Sequence, residues 1–167
     1  MILNLNDSKW KDLTVFFEQT KSLPQLLEQW YSLIGSSQEH NFYVDQLFNS
    51  FLHQATITNA AFAVVPWLVN VCESGKTRHQ IEYLADVCLV EANRITRGTY
   101  HNRKDTIEYP DWLMVDYFEA IRKAVALADI CIQSDKSDTP EKIQLVQLRP
   151  ALDGNANLAW EQWGQEL

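Results

Sequence analysis

Apolar residues recur along this chain at helical spacing, and the clearest stretch runs from Leu47 to about Ile95. Between Ile57 and Cys72 only Thr58, Asn59 and Asn70 interrupt the apolar positions. A helix apolar on all sides is covered on more than one face, so this segment is the expected central helix. Pro66 lies inside it and removes the hydrogen bond to Phe62, at a cost of ~3 kcal/mol in an isolated helix. The flanking apolar residues predict a helix that continues with a kink; a break at Val65 is the alternative. Glu73, Ser74 and Gly75 close the segment. Thr77 caps a following helix from Arg78 to about Asn93, with Ile81, Leu84, Ala85, Cys88, Ala92 and Ile95 on one face.

Upstream, Asn6, Asp7 and Ser8 offer N-caps for a helix over Lys9–Thr20, carrying Trp10, Leu13, Phe16 and Phe17. Ser22 caps a second helix with Pro24 in its first turn, where a missing N–H costs nothing. Its core face is Leu26, Leu27, Trp30, Leu33 and Ile34, and Gly35 with the polar run Ser36–Asn41 ends it. These two read as an antiparallel hairpin. A third helix runs from Phe42 to about Gln54 with Val44, Leu47, Phe48, Phe51 and Leu52 as its stripe. The turn His53–Thr56 leads into the central helix, with Thr56 or Thr58 as its cap.

Downstream, Arg94–Asp111 is polar, without clear periodicity, and long for a connection in a compact helical domain. Asp111 caps a long helix over Trp112–Gln133 with Met114, Tyr117, Phe118, Ile121, Val125, Ala128 and Ile132 as its stripe. Ser134–Thr139 is a charged turn. The alternating run Ile143–Leu148 reads as helix, because no partner strand is visible, and Pro150 ends it. Asp153, Gly154 and Asn155 form a turn before a last helix over Ala156–Gln165. The pattern predicts one all-α domain, residues 1–167, of about seven helices.

Composition agrees with that class. The chain is 46% hydrophobic and 22% charged, and its five Gly and five Pro leave little turn chemistry for a many-stranded sheet. A net charge of −8 opposes general nucleic-acid binding and docking on an anionic membrane. It permits a basic protein partner. Cys72, Cys88 and Cys131 are scattered in apolar surroundings without CxxC spacing, which favours reduced, buried thiols in a cytoplasmic protein. The start MILNLNDSKWKD lacks the basic and apolar regions of a signal peptide. No apolar run approaches the ~20 residues of a membrane span.

The run LFNSFLHQATITNAAFAVVPWLVNVCE, a polar loop, and RHQIEYLADVCLVEANR resemble the HEAT-like helical repeats of many small bacterial proteins. Such repeats have an HQGT-like turn, an alanine-containing helix with an internal AVP-and-Leu pattern, and an amphipathic helix. Here the turn is HQAT and the pattern is Ala63-Val64-Val65-Pro66-Trp67-Leu68. The match is closest over Leu47–Arg94, with weaker helical agreement from 42 out to 132. It implies a short α–α superhelix whose helix pairs stack into a shared core. Ala55 stands where glycine is usual, and no following repeat with an Asp-rich turn is evident after Asp135. The resemblance carries no catalytic residues.

Arg94, Arg97, Arg103 and Lys104 cluster with Tyr100 and His101, the one basic patch in an acidic chain. The sharp reading is a contact site for an acidic partner or a phosphate, since guanidinium groups bind such anions bidentately. The bland reading is a solvated loop whose charges offset Asp105, Glu108 and Asp111. His53 and His79 lack the close spacing of a zinc helix. His53 suits a bond to its own turn, and His79 with Glu82 suits an i, i+3 surface pair. Asp116, Glu119 and Asp129 invite a di-carboxylate metal site, but no helix supplies an ExxH partner, and a solvated acidic face is favoured. The six tryptophans default to core, with Trp160 or Trp163 as candidate interface anchors.

The leading functional expectation is therefore a non-enzymatic protein-binding scaffold without metal or cofactor. Proteins this chain resembles are often immunity proteins, which implies a basic toxin as partner and steered capture. The alternatives are a HEAT-like enzyme acting on nucleic acid and a small metal-dependent hydrolase.

Overall fold

The computed structural model describes residues 2–16, 22–53, 56–96 and 111–164. Seven helices carry the fold among these residues, in agreement with the all-α expectation. Helix α1, Leu23–Leu33, opens with a capping box in which the Ser22 N–H donates to Gln25 Oε1 at 2.9 Å, and Pro24 stands in its first turn. Leu23, Leu26, Leu27 and Trp30 are its buried face. Helix α2, residues 39–51, is α-helical at Glu39–Phe42, π-wound at Tyr43–Phe48 and α-helical again at Asn49–Phe51.

The chain then departs from the expected third helix, which was to reach Gln54. Leu52–His53 instead pairs antiparallel with Thr56–Ile57, with Leu52 opposite Ile57 and His53 opposite Thr56. This two-residue ladder sits at the predicted HQAT turn and orients α2 against helix α3, Ala60–Ser74. Helix α3 runs unbroken through Pro66, and its residues from Ala60 to Val65 are all buried. Neither Thr56 nor Thr58 caps it. Asn59 takes the N-cap position, and its side-chain oxygen accepts the Thr14 N–H at 2.6 Å instead of closing the helix start.

That bond explains why the expected Lys9–Thr20 helix is absent over its described residues. Ser8–Asp12 makes a 3-10 turn, started by Asp7 accepting the Lys9 N–H at 2.9 Å. Beyond it the Thr14 N–H goes to Asn59, and the Phe16 N–H goes to the Ser50 carbonyl at 2.8 Å. Backbone donors engaged by other elements cannot build an i→i−4 ladder. The β-branched pair Thr14 and Val15 is in any case a weak helix former. The remainder of the expected helix, Phe17–Thr20, lies outside the described residues.

Gly75 terminates α3 in the left-handed region at φ 66°, where an N–H can turn back onto the last carbonyls. Helix α4, Gln80–Thr96, follows, then α5, Asp111–Ser134. Helix α6, Pro140–Leu148, contains the alternating run read as helix, and Thr139 caps it. A 3-10 turn at Arg149–Asp153 contains Pro150 and leads to α7, Ala156–Gly164.

Helix α4 is the hub: α3, α5, α6, α7 and the 3-10 turn at Arg149–Asp153 all pack on it. The sequence pattern assigned that central place to α3 and made α4 amphipathic. In fact every residue from Tyr83 to Asn93 is buried, including Asp86, Glu91 and Asn93. Polar residues are tolerated there because each has a partner: Tyr43 for Asp86, Arg94 and Tyr117 for Glu91, and the Leu89 carbonyl for Asn93. Helix α5 lies against α3 with Ala120, Ala124 and Ala128 on its buried line, and small side chains permit close approach of the two backbones. Phe118, placed on the core stripe by spacing, is instead 42% exposed. Trp10, Trp30 and Trp160 are buried, and Trp67, Trp112 and Trp163 pack partly buried against the core. The three cysteines are free and buried, as their apolar contexts predict.

Candidate functional site

The densest polar chemistry lies where the start of α2 meets the start of α4. Glu39, in the first turn of α2, is buried, and its carboxylate gathers three donors from three segments. Thr77 Oγ1–H and the Tyr83 hydroxyl, the latter at 2.9 Å, donate to Oε1. The Gly35 N–H donates to Oε2 at 2.7 Å, and Trp30 Nε1–H reaches the Tyr83 oxygen at 3.3 Å. Thr77 also accepts the His79 N–H at 3.0 Å, so one hydroxyl links Glu39 to the backbone that carries His79.

On the outer side of this seam stand His40, His79 and Glu82. His40 Nδ1 is 3.0 Å from Glu82 Oε2, and His79 Nδ1 is 3.6 Å from the same oxygen. The two imidazoles stack, with centroids 4.9 Å apart and planes 22° apart. Burial raises the Glu82 pKa above the ordinary carboxylate value, and the neighbouring His40 opposes that rise. One turn further along α4, Asp86 is buried and accepts the Tyr43 hydroxyl at 2.6 Å. Burial pushes its pKa up to about 8, against the lowering effect of that hydrogen bond. The Tyr43 hydroxyl is itself held well above its usual value, by burial first and by Asp86 second.

A second feature is an apolar groove between the N-terminal segment and α1, with a volume of about 1040 Å³. Leu3, Leu5, Leu13, Leu23 and Trp67 of α3 line it, together with the charged residues Asp7, Lys11 and Glu28. Tyr31 packs edge-on against Trp67 at 5.6 Å and is itself 46% exposed. The Trp67 Nε1–H is buried without a hydrogen-bond partner among the described residues.

Of the basic cluster read from sequence, only Arg94 falls on described residues. Its guanidinium donates to both carboxylate oxygens of Glu91, at 2.6 and 2.7 Å, and lies 5.0 Å from the centre of the Phe118 ring. Tyr117 donates to the same Glu91 carboxylate at 2.7 Å. Arg94 is thus engaged within the fold. Arg97, Tyr100, His101, Arg103 and Lys104 lie outside the described residues. Asp129 does not pair with Asp116 or Glu119; it receives a bidentate contact from Arg149 at 2.8 and 3.0 Å. His53 lies in the short ladder, with its ring 6.1 Å from that of Phe16.

His79 and Glu82 form the surface pair that their spacing predicts, but His40 was not singled out by sequence reasoning. It lies 42 positions from Glu82, in a segment that reads only as a polar run. Glu39, Asp86 and Glu91 were missed for a related reason, since each is a charged residue at a position that reads as solvated. The available signal was the concentration of Tyr43, Tyr83 and Tyr117, since a buried tyrosine hydroxyl needs an acceptor. Comparison with known proteins finds no match: no family model, curated protein or solved structure aligns with the chain.

Proposed function

We propose that this chain is a protein-binding helical domain that captures a basic partner. The observation that supports the reading is the apolar groove lined by Leu3, Leu5, Leu13, Leu23 and Trp67, whose charged lining residues are two acids, Asp7 and Glu28, and one base, Lys11. An apolar floor with a few polar anchors is how a groove accepts a peptide segment or a protruding loop. Partner lysines or arginines would meet the Asp7 and Glu28 carboxylates. The net charge of −8 adds long-range attraction that speeds encounter with a basic protein. In its most specific form, suggested by the HEAT-like resemblance, the partner is a basic toxin and the chain is a cytoplasmic immunity protein.

The test is co-purification of the tagged chain from its native source, alongside a Leu5→Glu, Leu13→Glu variant. The reading expects one basic protein at stoichiometric yield, released by raised salt and lost from the groove variant. Co-expression with this chain should also relieve any toxicity of that protein. Absence of a stoichiometric partner, or equal retention by the groove variant, overturns it.

A further inference from the structure

We propose that His40, His79 and Glu82 form a three-ligand site for a divalent metal ion of the zinc class, with one coordination position left open. The three donor atoms lie within 4.8 Å of one another. Zinc–nitrogen and zinc–oxygen bonds of about 2.0–2.2 Å place tetrahedral donors about 3.3 Å apart. The two donor separations involving Glu82, 3.0 and 3.6 Å, bracket that value. Both Nδ1 atoms lie close to the same Glu82 oxygen, so the three groups converge on one point. Two imidazoles with a carboxylate suit zinc and its late transition-metal neighbours, whereas calcium and magnesium take oxygen donors.

The arrangement is built into the fold. His40 follows Glu39 directly, and His79 lies two positions after Thr77. The buried Thr77–Glu39 hydrogen bond therefore pins together the two segments that carry the histidines. The Thr77 hydroxyl also holds the His79 N–H, and Gly35 and Tyr83 fix the other lone pairs of Glu39. Such a supporting shell fixes ligand geometry before the ion arrives. Glu82 sits in the first turn of α4, the hub helix, which gives the third ligand a rigid base. The side chains are 45%, 31% and 21% exposed for His40, His79 and Glu82, so an ion has a direct path in and water completes its shell. Three protein ligands with an open position are the pattern of zinc sites that bind a further group, as opposed to closed structural sites.

The experiment is calorimetric titration of the chelator-treated, full-length chain with zinc chloride near pH 7.5, with cobalt chloride as a spectroscopic probe. One zinc ion should bind per chain, and bound cobalt should show the intense visible bands of tetrahedral coordination. His40→Ala, His79→Ala and Glu82→Gln should each weaken binding by roughly tenfold or more. His53→Gln, at a histidine outside the cluster, should leave it unchanged. Circular dichroism on each variant separates loss of the site from loss of the fold. Because the partly exposed His40 and His79 contribute little to the core, the double variant His40→Ala, His79→Ala keeps the test decisive. No binding at submillimolar zinc, or zinc binding that survives in the double variant, overturns the proposal.

Discussion

Glu39 and Thr77, 38 positions apart in sequence, meet in a buried hydrogen bond that joins the start of α2 to the start of α4. The bond matters because Thr77 works in both directions. It donates to the Glu39 carboxylate and accepts the His79 N–H. A single hydroxyl therefore sets the spacing between the two histidine-bearing segments.

Thr77→Val removes both roles while keeping the shape of the side chain. Glu39 loses a donor and the His79 N–H loses its acceptor, which should cost about 1–3 kcal/mol of stability. Thr77→Ser keeps the hydroxyl and should lose less than half as much. Urea denaturation midpoints of the two variants, compared with the parent chain, measure the difference.

Asp86 should give stability a distinctive pH dependence. Its folded pKa of about 8 lies above the ordinary value of 3.8, because burial disfavours the charged carboxylate. Between those two values the folded chain binds a proton that the unfolded chain releases. The contribution from Asp86 is thus fully present below the unfolded pKa and is lost as pH rises through 8. Tyr43 and Glu82 are the groups that act on it directly. Asp86→Asn should flatten this decline, because the amide still accepts the Tyr43 hydroxyl and cannot ionise. Thermal melts of both proteins from pH 5 to 9 check this. A decline of equal steepness in the variant would assign the effect to another group.

Glu91 anchors α5 to α4 through Tyr117 and also holds Arg94. Glu91→Ala removes the acceptor of a buried hydroxyl and the charge partner of a guanidinium. It should destabilise by about 3 kcal/mol. Tyr117→Phe deletes one hydrogen bond only and should cost about 1 kcal/mol. Chemical denaturation of the two single variants tests the ranking.

Gly75 ends α3 at φ 66° with nothing within 4 Å of where a Cβ would sit. The cost of a side chain there is therefore conformational and not steric. Gly75→Ala should lose about 1–2 kcal/mol, and Gly75→Asn, which tolerates the left-handed region, should recover part of it. The comparison of melting temperatures isolates the backbone term.

Local information carries the helices whose apolar faces and end signals agree. Ser22 with Pro24 starts α1, Gly75 stops α3, and Pro140 opens α6; all three are readable without knowing the fold. Pro66 is read correctly as a residue that a buried helix runs through, because apolar residues flank it on both sides. The three cysteines are legible as core for the same reason.

The N-terminal segment shows the limit. Trp10, Leu13 and Phe16 have helical spacing, yet Asn59 and the Ser50 carbonyl take the donors that a helix would need. A competing acceptor 45 positions away along the chain is invisible to periodicity. The amphipathic reading of α4 fails in the same way. Asp86, Glu91 and Asn93 look solvated in sequence, and only the packed neighbours make their burial affordable.

By itself, then, the sequence determined that this chain is all-α, where most of its helices begin and end, and that its net charge is −8. Those properties follow from neighbours within a few residues and from composition. Which helix became the hub, and the meeting of His40 with His79 and Glu82, were decided by tertiary structure alone. Packing joins segments about 40 positions apart, and the Glu39–Thr77 bond that sets their distance has no local signature.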